Sequence, residues 1–152
     1  HGLVHPEAGH LLLQRHPKDT YAGKCPYHAN CLEGLASGPA VEARWGRPAK
    51  ELADREDVWE MEAFYLAEAV ANYVLTYSPQ KIVLGGIMHQ SQLFSMVRTK
   101  VQELLGGYIS NEKILKEIDT YLVPPALGEN PGIMGAFALG MREAEYRKPK
   151  EA

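Results

Sequence analysis

The sequence predicts a layered α/β fold. Three observations carry that reading. Lys81 to Leu84 has strand character and opens onto Gly85-Gly86 and then a helical period from Gln90 to Leu105. Thr120 to Val123 is a second strand-like run, closed by Pro124-Pro125. Helical patterns at 57–77 and 132–146 flank both. Strands that alternate with helices bury a sheet under helices, which is the α/β layer solution.

The elements follow in order. Leu11-Leu12-Leu13, after Gly9 and before Pro17, reads as a short buried strand. Residues 17–31 are dense in Pro, Gly, Lys and Asn and form a loop that needs an outside constraint to keep one shape. Leu32 to Trp45 reads as two short helices broken at Ser37-Gly38, with Pro39 in the first turn of the second. From Asp57 to Tyr77, Trp59, Ala63, Leu66, Val70, Tyr73 and Tyr77 recur at spacings of three and four, with a second apolar row of Val58, Met61, Tyr65 and Ala69 beside them. That helix is covered on more than one side. Gly106-Gly107 ends the helix at 90–105, and a short helix follows at Asn111 to Lys116. Gly132 to Tyr146, with Ala136, Ala138 and Gly140, is a small-residue helix suited to close packing on a sheet, and the charged tail EAEYRKPKEA after it is expected to fray.

The 152 residues are 45% hydrophobic and 23% charged, the balance of about one globular domain. A formal charge of -3 with no basic stripe leaves nothing to neutralise phosphates, so no nucleic-acid partner is expected. No apolar run approaches the ~20 residues that span a bilayer, and the start lacks the order of a signal peptide. A cytoplasmic protein with no membrane partner is the expectation. The chain begins at His1 without methionine and reads from the start like the middle of a protein, so a fragment is expected.

The strongest chemical signal is Cys25-x-x-His28-x-x-Cys31, with His10 and His16 upstream as candidate fourth ligands. Two thiolates and two imidazoles complete a zinc tetrahedron with no open position, which makes a site structural. Spacing alone leaves a Cys25–Cys31 disulfide and unligated surface residues as alternatives, and does not choose between His10 and His16. A metal joining residue 10 to the 25–31 loop would bring Glu7 and Glu33 together. Carboxylates accept from sugar hydroxyls, so Glu7, His10 and Glu33 form a candidate polyol site, against the reading that the two acids are solvated surface charges. Gly85-Gly86, between a strand and a helix, lets the backbone approach a nucleotide or merely makes the turn. His1, His5 and His89 show no partner pattern.

Three stretches taken together, HPEAGH (5–10), CPYHANCLEGLASGPAVEARWG (25–46) and IVLGGIMHQ (82–90), resemble the ROK family of sugar kinases and related repressors, most closely its fructokinase branch. Glu7-Ala8-Gly9-His10 is similar to the family's Glu-x-Gly-His element, and Cys31-Leu32-Glu33 to the end of its zinc loop. PGIMGAFALG (131–140) looks like its C-terminal helix. The loop departs from the usual three cysteines by carrying His28, as the fructokinases do. The resemblance implies zinc on His10, Cys25, His28 and Cys31, and sugar hydroxyls on Glu7, His10 and Glu33. It also implies adenosine along Gly85, Gly86, Ile87 and Met88, with Pro39 near the nucleotide. It implies an actin/hexokinase-like ATPase fold of two ribonuclease-H-like lobes, of which this chain supplies the C-terminal one. Residues 1–46 form the sugar and zinc segment and 47–152 the helical, nucleotide-side segment. The expected activity is phosphorylation of fructose to fructose 6-phosphate by Mg-ATP in a homodimer. The general-base aspartate and the N-terminal Asp-x-Gly-Gly-Thr phosphate motif would both precede His1, so no catalytic residue is assigned and the fragment alone is expected to be inactive. The competing expectation is a sugar-sensing transcriptional repressor, and a third is a free-standing carbohydrate-binding or zinc-stabilised module.

Overall fold

A computed structural model describes residues 3–86, 91–128 and 130–147. Its centre is the helix expected at 57–77, which runs Glu56–Tyr77. Both apolar rows are used: Val58, Trp59, Tyr65, Ala69 and Val70 are buried, and the only charged side chain buried in this helix is Glu62. This helix, α3 of the chain, packs most extensively against a later one, Ser91–Leu105, through Leu93, Phe94, Val97, Val101 and Leu105. Each such side chain contributes on the order of 1.5–3 kcal/mol when fully buried, so this pair is the main stabilising contact.

Two short helices precede α3, α1 at Leu32–Ala36 and α2 at Gly38–Trp45. They meet at Ser37, which ends α1 and caps α2 by accepting from the Ala40 amide at 3.3 Å. Gly46 closes α2 with φ +70, a left-handed cap that glycine adopts without strain. The break at Ser37-Gly38 is where the sequence placed it.

The segment 11–13 is not the buried strand its three leucines predict. Leu12 forms a single antiparallel bridge with Cys31 and is 58% exposed, whereas Leu13 is buried. Successive side chains of extended backbone point to opposite faces, so only one of the two can enter the core. The backbone of 11–13 bonds to residues 30–32, the Leu13 amide donating to Asn30 O at 2.8 Å and the Leu32 amide to Leu11 O at 2.9 Å, while the residues on either side of it bond to a helix. The Tyr73 hydroxyl donates to Ala8 O at 2.7 Å. The Gln14 amide donates to Glu68 Oε1 at 2.7 Å, and the His16 amide to the Tyr65 hydroxyl at 3.1 Å. Residues 73, 68 and 65 descend as 8, 14 and 16 ascend, so residues 8–16 run antiparallel to α3, with the helix's side chains holding the backbone before and after the leucines.

The strand expected at 81–84 is β1, Ile82–Val83, and it pairs in parallel with β2, Leu122–Val123, in the register Ile82↔Leu122 and Val83↔Val123. The helix Ser91–Leu105, α4, follows β1, and Gly106 and Gly107, both at positive φ, end it. A helix of one turn, α5 at Glu112–Leu115, is capped by Asn111, which accepts from the Lys113 amide at 3.0 Å. The second strand is shorter than expected because Ile118–Tyr121 forms a helical turn, α6, that buries Tyr121 and lets its hydroxyl donate to Pro79 O at 3.0 Å. Thr120 therefore lies in a helix. The Arg98 guanidinium donates to Leu122 O at 2.7 Å and fixes the join.

The last helix, α7, forms over Pro131–Tyr146 but buries none of its residues. Its predicted packing on a sheet is not found, since the sheet among the described residues has two strands of two residues each. Residues 148–152 of the expected charged tail lie outside the described residues. The α/β expectation holds in part, as a mostly helical architecture with a small parallel sheet. No helix among the described residues is long and apolar enough to cross a membrane.

Candidate metal and ligand site

Four side chains converge beneath the 17–31 loop. The ligand atoms of His10, Cys25, His28 and Cys31 all lie within 4.8 Å of one another. Nδ1 of His10 stands 3.6 Å from Sγ of Cys31 and 3.8 Å from Sγ of Cys25, and Nδ1 of His28 stands 3.6 Å from Sγ of Cys25. Zinc bonds of ~2.3 Å to sulfur and ~2.1 Å to nitrogen at the tetrahedral angle give an S···N edge of ~3.6 Å. Three of the six edges have about that length and the remainder stay within 4.8 Å, so the quartet is compatible with a tetrahedral zinc site, and the donor set suits that ion. Both cysteines are free thiols, so the disulfide is not formed. The backbone amides of Tyr27 and His28 hold the Cys25 thiol below its ordinary value against a contribution from burial, while burial pushes Cys31 up. Metal ligation needs the thiolate, and Cys25 is the more readily ionised of the two.

His16 stands apart from the quartet. Its ring packs edge-on against Phe64 at 4.7 Å, and its Nδ1 accepts from the Lys18 amide at 3.2 Å.

The loop is also held by contacts that need no metal. The Arg15 guanidinium donates to Tyr21 O and, at 2.5 Å, to Ala29 O, pinning the two sides of the loop together. Gly23 has φ +100, and a Cβ there would meet Ala29 O at 2.5 Å, so no other residue fits. Gly34, in the first turn of α1, donates its amide to Cys31 Sγ at 3.3 Å, and a Cβ on it would lie 3.0 Å from Cys25 Cβ.

Beneath the loop, Arg44 of α2 is shared by two buried carboxylates. It donates to both oxygens of Asp19 at 3.2 and 3.0 Å, to Glu62 Oε1 at 2.8 Å and to Leu35 O at 2.7 Å. The side chains of Asp19 and Glu62 are 2% and 0% exposed. Burial works to raise the Asp19 carboxyl, but the Tyr65 hydroxyl at 2.6 Å, the Tyr21 amide and Arg44 outweigh it and hold Asp19 below the ordinary value. Among the described residues Glu62 has only Arg44 as a hydrogen-bond partner and its Oε2 has none, and burial pushes it up to about 8. The Tyr65 hydroxyl, buried and bonded to Asp19, is pushed up to about 12.

On the open side of the quartet, His10 presents Nε2 to Oε2 of Glu33 at 3.6 Å, and Glu33 is 61% exposed. Glu7 opens the 3-10 turn Ala8–His10, its carbonyl accepting from the His10 amide at 2.9 Å. Glu7, His10 and Glu33 thus lie at one edge of the metal loop with carboxylates that face solvent. The expected nucleotide-side residues sit on other elements. Pro39 is exposed at the start of α2. Gly85 and Gly86 follow β1, where a Cβ on Gly85 would approach Pro125 Cγ to 3.3 Å and Gly86 has φ +70. Ile87 and Met88 lie outside the described residues.

Residues 1–143 match the ROK family. This chain belongs to the ROK family. It is 50% identical over 139 residues to a protein of Bacillus subtilis named putative fructokinase, covering 91% of this chain and 46% of that protein. It is 43% identical to the fructokinase of Pediococcus pentosaceus, over 91% of this chain and 47% of that one, and 41% identical to the fructokinase of Zymomonas mobilis, over 93% and 47%. The ROK chain described here spans about half the length of the curated relatives it matches.

Sequence reasoning on this ROK chain did not single out Gly23, Gly34, Arg15 or the Asp19–Arg44–Glu62 cluster. A signal for the last was present: Glu62 stands in the middle of the two apolar rows of α3, where a carboxylate needs a buried partner.

Proposed function

We propose that this ROK chain is the C-terminal lobe of a fructokinase with an actin/hexokinase-like fold, residues 1–46 forming its sugar and zinc segment and 47–152 its nucleotide-side segment. The observation that carries the reading is the double use of His10, whose Nδ1 belongs to the Cys25–His28–Cys31 quartet while its Nε2 faces Glu33. A ring fixed on one nitrogen offers the other at a defined place.

The complete enzyme transfers the γ-phosphoryl group of Mg-ATP to the 6-hydroxyl of fructose, giving fructose 6-phosphate and ADP. An aspartate outside this chain accepts the hydroxyl proton, so the lobe alone is inactive. Phosphoryl transfer rests on positioning and charge neutralisation, and the residues present here do the positioning. Glu7 and Glu33 accept from sugar hydroxyls, and His10 orients the ring between them. Gly85, Gly86, Ile87 and Met88 line the adenosine, with Pro39 close to the nucleotide. Zinc on His10, Cys25, His28 and Cys31 supplies a rigid loop and takes no part in the chemistry.

The test is ADP release by the complete gene product with Mg-ATP and fructose, glucose or mannose offered in turn. Turnover with fructose is expected. Absence of turnover with every sugar, in protein that holds zinc, overturns the kinase reading in favour of a sugar-sensing regulator.

A further inference from the structure

The turn that carries His10 faces the C-terminal end of α3 across a cleft of about 330 Å³. Glu7 and His10 line one side, and Asn72, Tyr73, Thr76 and Tyr77 line the other. These last four recur at the spacing of one helix face. The volume is in the lower part of the roughly 300–1,000 Å³ range of small-ligand pockets.

The chemistry of the second wall is specific. The Tyr73 hydroxyl is committed to Ala8 O at 2.7 Å, so the cleft meets its ring rather than its hydroxyl. The Tyr77 ring lies beside it, 6.2 Å between centroids and 35° between planes, and is 65% exposed. Asn72 donates through Nδ2 to Glu68 O at 2.9 Å, which leaves Oδ1 as an acceptor. Thr76 adds an exposed hydroxyl. The cleft therefore combines two aromatic faces, a hydroxyl, an amide oxygen, a carboxylate and an imidazole, and no Lys or Arg among the described residues lines it. That set matches a neutral polyhydroxylated ring, with C–H faces against the tyrosines and hydroxyls toward the polar groups. It disfavours a phosphorylated one, because Glu7 would face the phosphate and no cation among the described residues lines the cleft to offset it.

We infer that Asn72, Thr76 and Tyr77 of α3 form the second wall of the sugar site and contact an unphosphorylated sugar there. The inference rests on the assignment of Glu7 and His10 to the sugar.

Its test is steady-state kinetics of the complete gene product carrying Thr76→Val or Tyr77→Ala, with zinc content and melting temperature measured alongside. Both positions are exposed, so folding is expected to persist. Removing a hydrogen bond or a stacked ring from a bound sugar raises KM for fructose by roughly three- to tenfold. The expected result is that rise, with kcat within twofold and zinc unchanged. Fructose KM within twofold of the parent in both variants overturns the inference and leaves the kinase standing. If the parent turns over no sugar, calorimetric titration with fructose replaces kinetics. Binding weakened by both substitutions supports the cleft without the kinase, and absent or unaltered binding overturns it.

Discussion

Nδ1 of His10 stands 3.6 Å from Sγ of Cys31, in a ring whose other nitrogen stands 3.6 Å from Glu33. On the proposed reading, metal ligation and ligand positioning meet in one side chain, and a change at the buried thiol should be felt at the exposed carboxylate. Replacing Cys31 by Ser removes one of four ligands and the sulfur that caps α1 through the Gly34 amide. Zinc measured after dialysis should fall from about one ion per chain to near zero. The melting temperature should drop by at least about 5 °C, since 1 kcal/mol corresponds to roughly 2–4 °C at this size. The KM for fructose should rise with them. An unchanged KM in metal-free protein contradicts the link between loop and sugar.

Gly34 is constrained by space rather than by backbone angle. A Cβ on it would lie 3.0 Å from Cys25 Cβ and 3.3 Å from Cys31 Sγ, so Gly34→Ala must push the two thiols apart. Overpacking of this kind costs about 1–3 kcal/mol. The expected outcome is weaker zinc binding, read by competition with a chromophoric chelator, in a protein whose far-ultraviolet circular dichroism is unchanged. Parental zinc affinity would show that the loop yields freely at this point.

What the sequence revealed and what it concealed divide along a physical line. The Asp57–Tyr77 helix, the break at Ser37-Gly38 and the cap at Gly106-Gly107 are local, set by periodicity and by residues with special backbone freedom. The quartet was legible because two thiols and two imidazoles at short spacing have few other uses. Spacing alone did not separate His10 from His16; the family resemblance pointed to His10, and the structure groups His10 with the other three while the ring of His16 lies against Phe64. The Leu11–Leu13 run misled because its backbone bonds to residues 30–32, while the flanking residues 8, 14 and 16 are held by the side chains of Tyr73, Glu68 and Tyr65, some 50 to 65 residues away. No short-range pattern encodes such a pairing. The packing of α7 on a sheet was inferred from its small residues, but small residues permit close approach without supplying the surface approached.

Glu62 gives the fold a pH dependence of definite sign. Burial raises its carboxyl from an ordinary 4.5 to about 8, Arg44 of α2 opposes that rise, and Asp19 on the loop adds to it. A raised carboxyl binds its proton more tightly in the folded chain than in the unfolded one. Its contribution is therefore complete below about 4.5 and lost as pH rises through about 8. Unfolding in urea should show stability falling between about pH 4.5 and 8 and levelling above that, by on the order of 1 kcal/mol per unit at most. Glu62→Gln, which keeps an acceptor for Arg44 and has no proton to lose, should flatten that fall. A parallel decline in both proteins assigns the dependence to another group.

Arg44 should be the least replaceable side chain outside the quartet, and lysine should fail there. The guanidinium donates in four directions, to both oxygens of Asp19, to Glu62 and to Leu35 O. An ammonium is a single point with three donors and cannot span Asp19 and Glu62 in that plane. With both acids buried, loss of the cation strands a carboxylate in the interior, a defect of about 3–5 kcal/mol. Arg44→Ala should therefore lower the urea midpoint sharply, and Arg44→Lys should recover only part of it. Because Asp19 also fixes the turn before Tyr21 through its amide at 3.0 Å, the same variants should bind zinc more weakly. The combined replacement Arg44→Met, Asp19→Asn and Glu62→Gln removes all three charges together and should be more stable than Arg44→Ala alone. If Arg44→Lys matches the parent within about 0.5 kcal/mol, the range of ordinary surface substitutions, the fork geometry is not what holds the loop floor together.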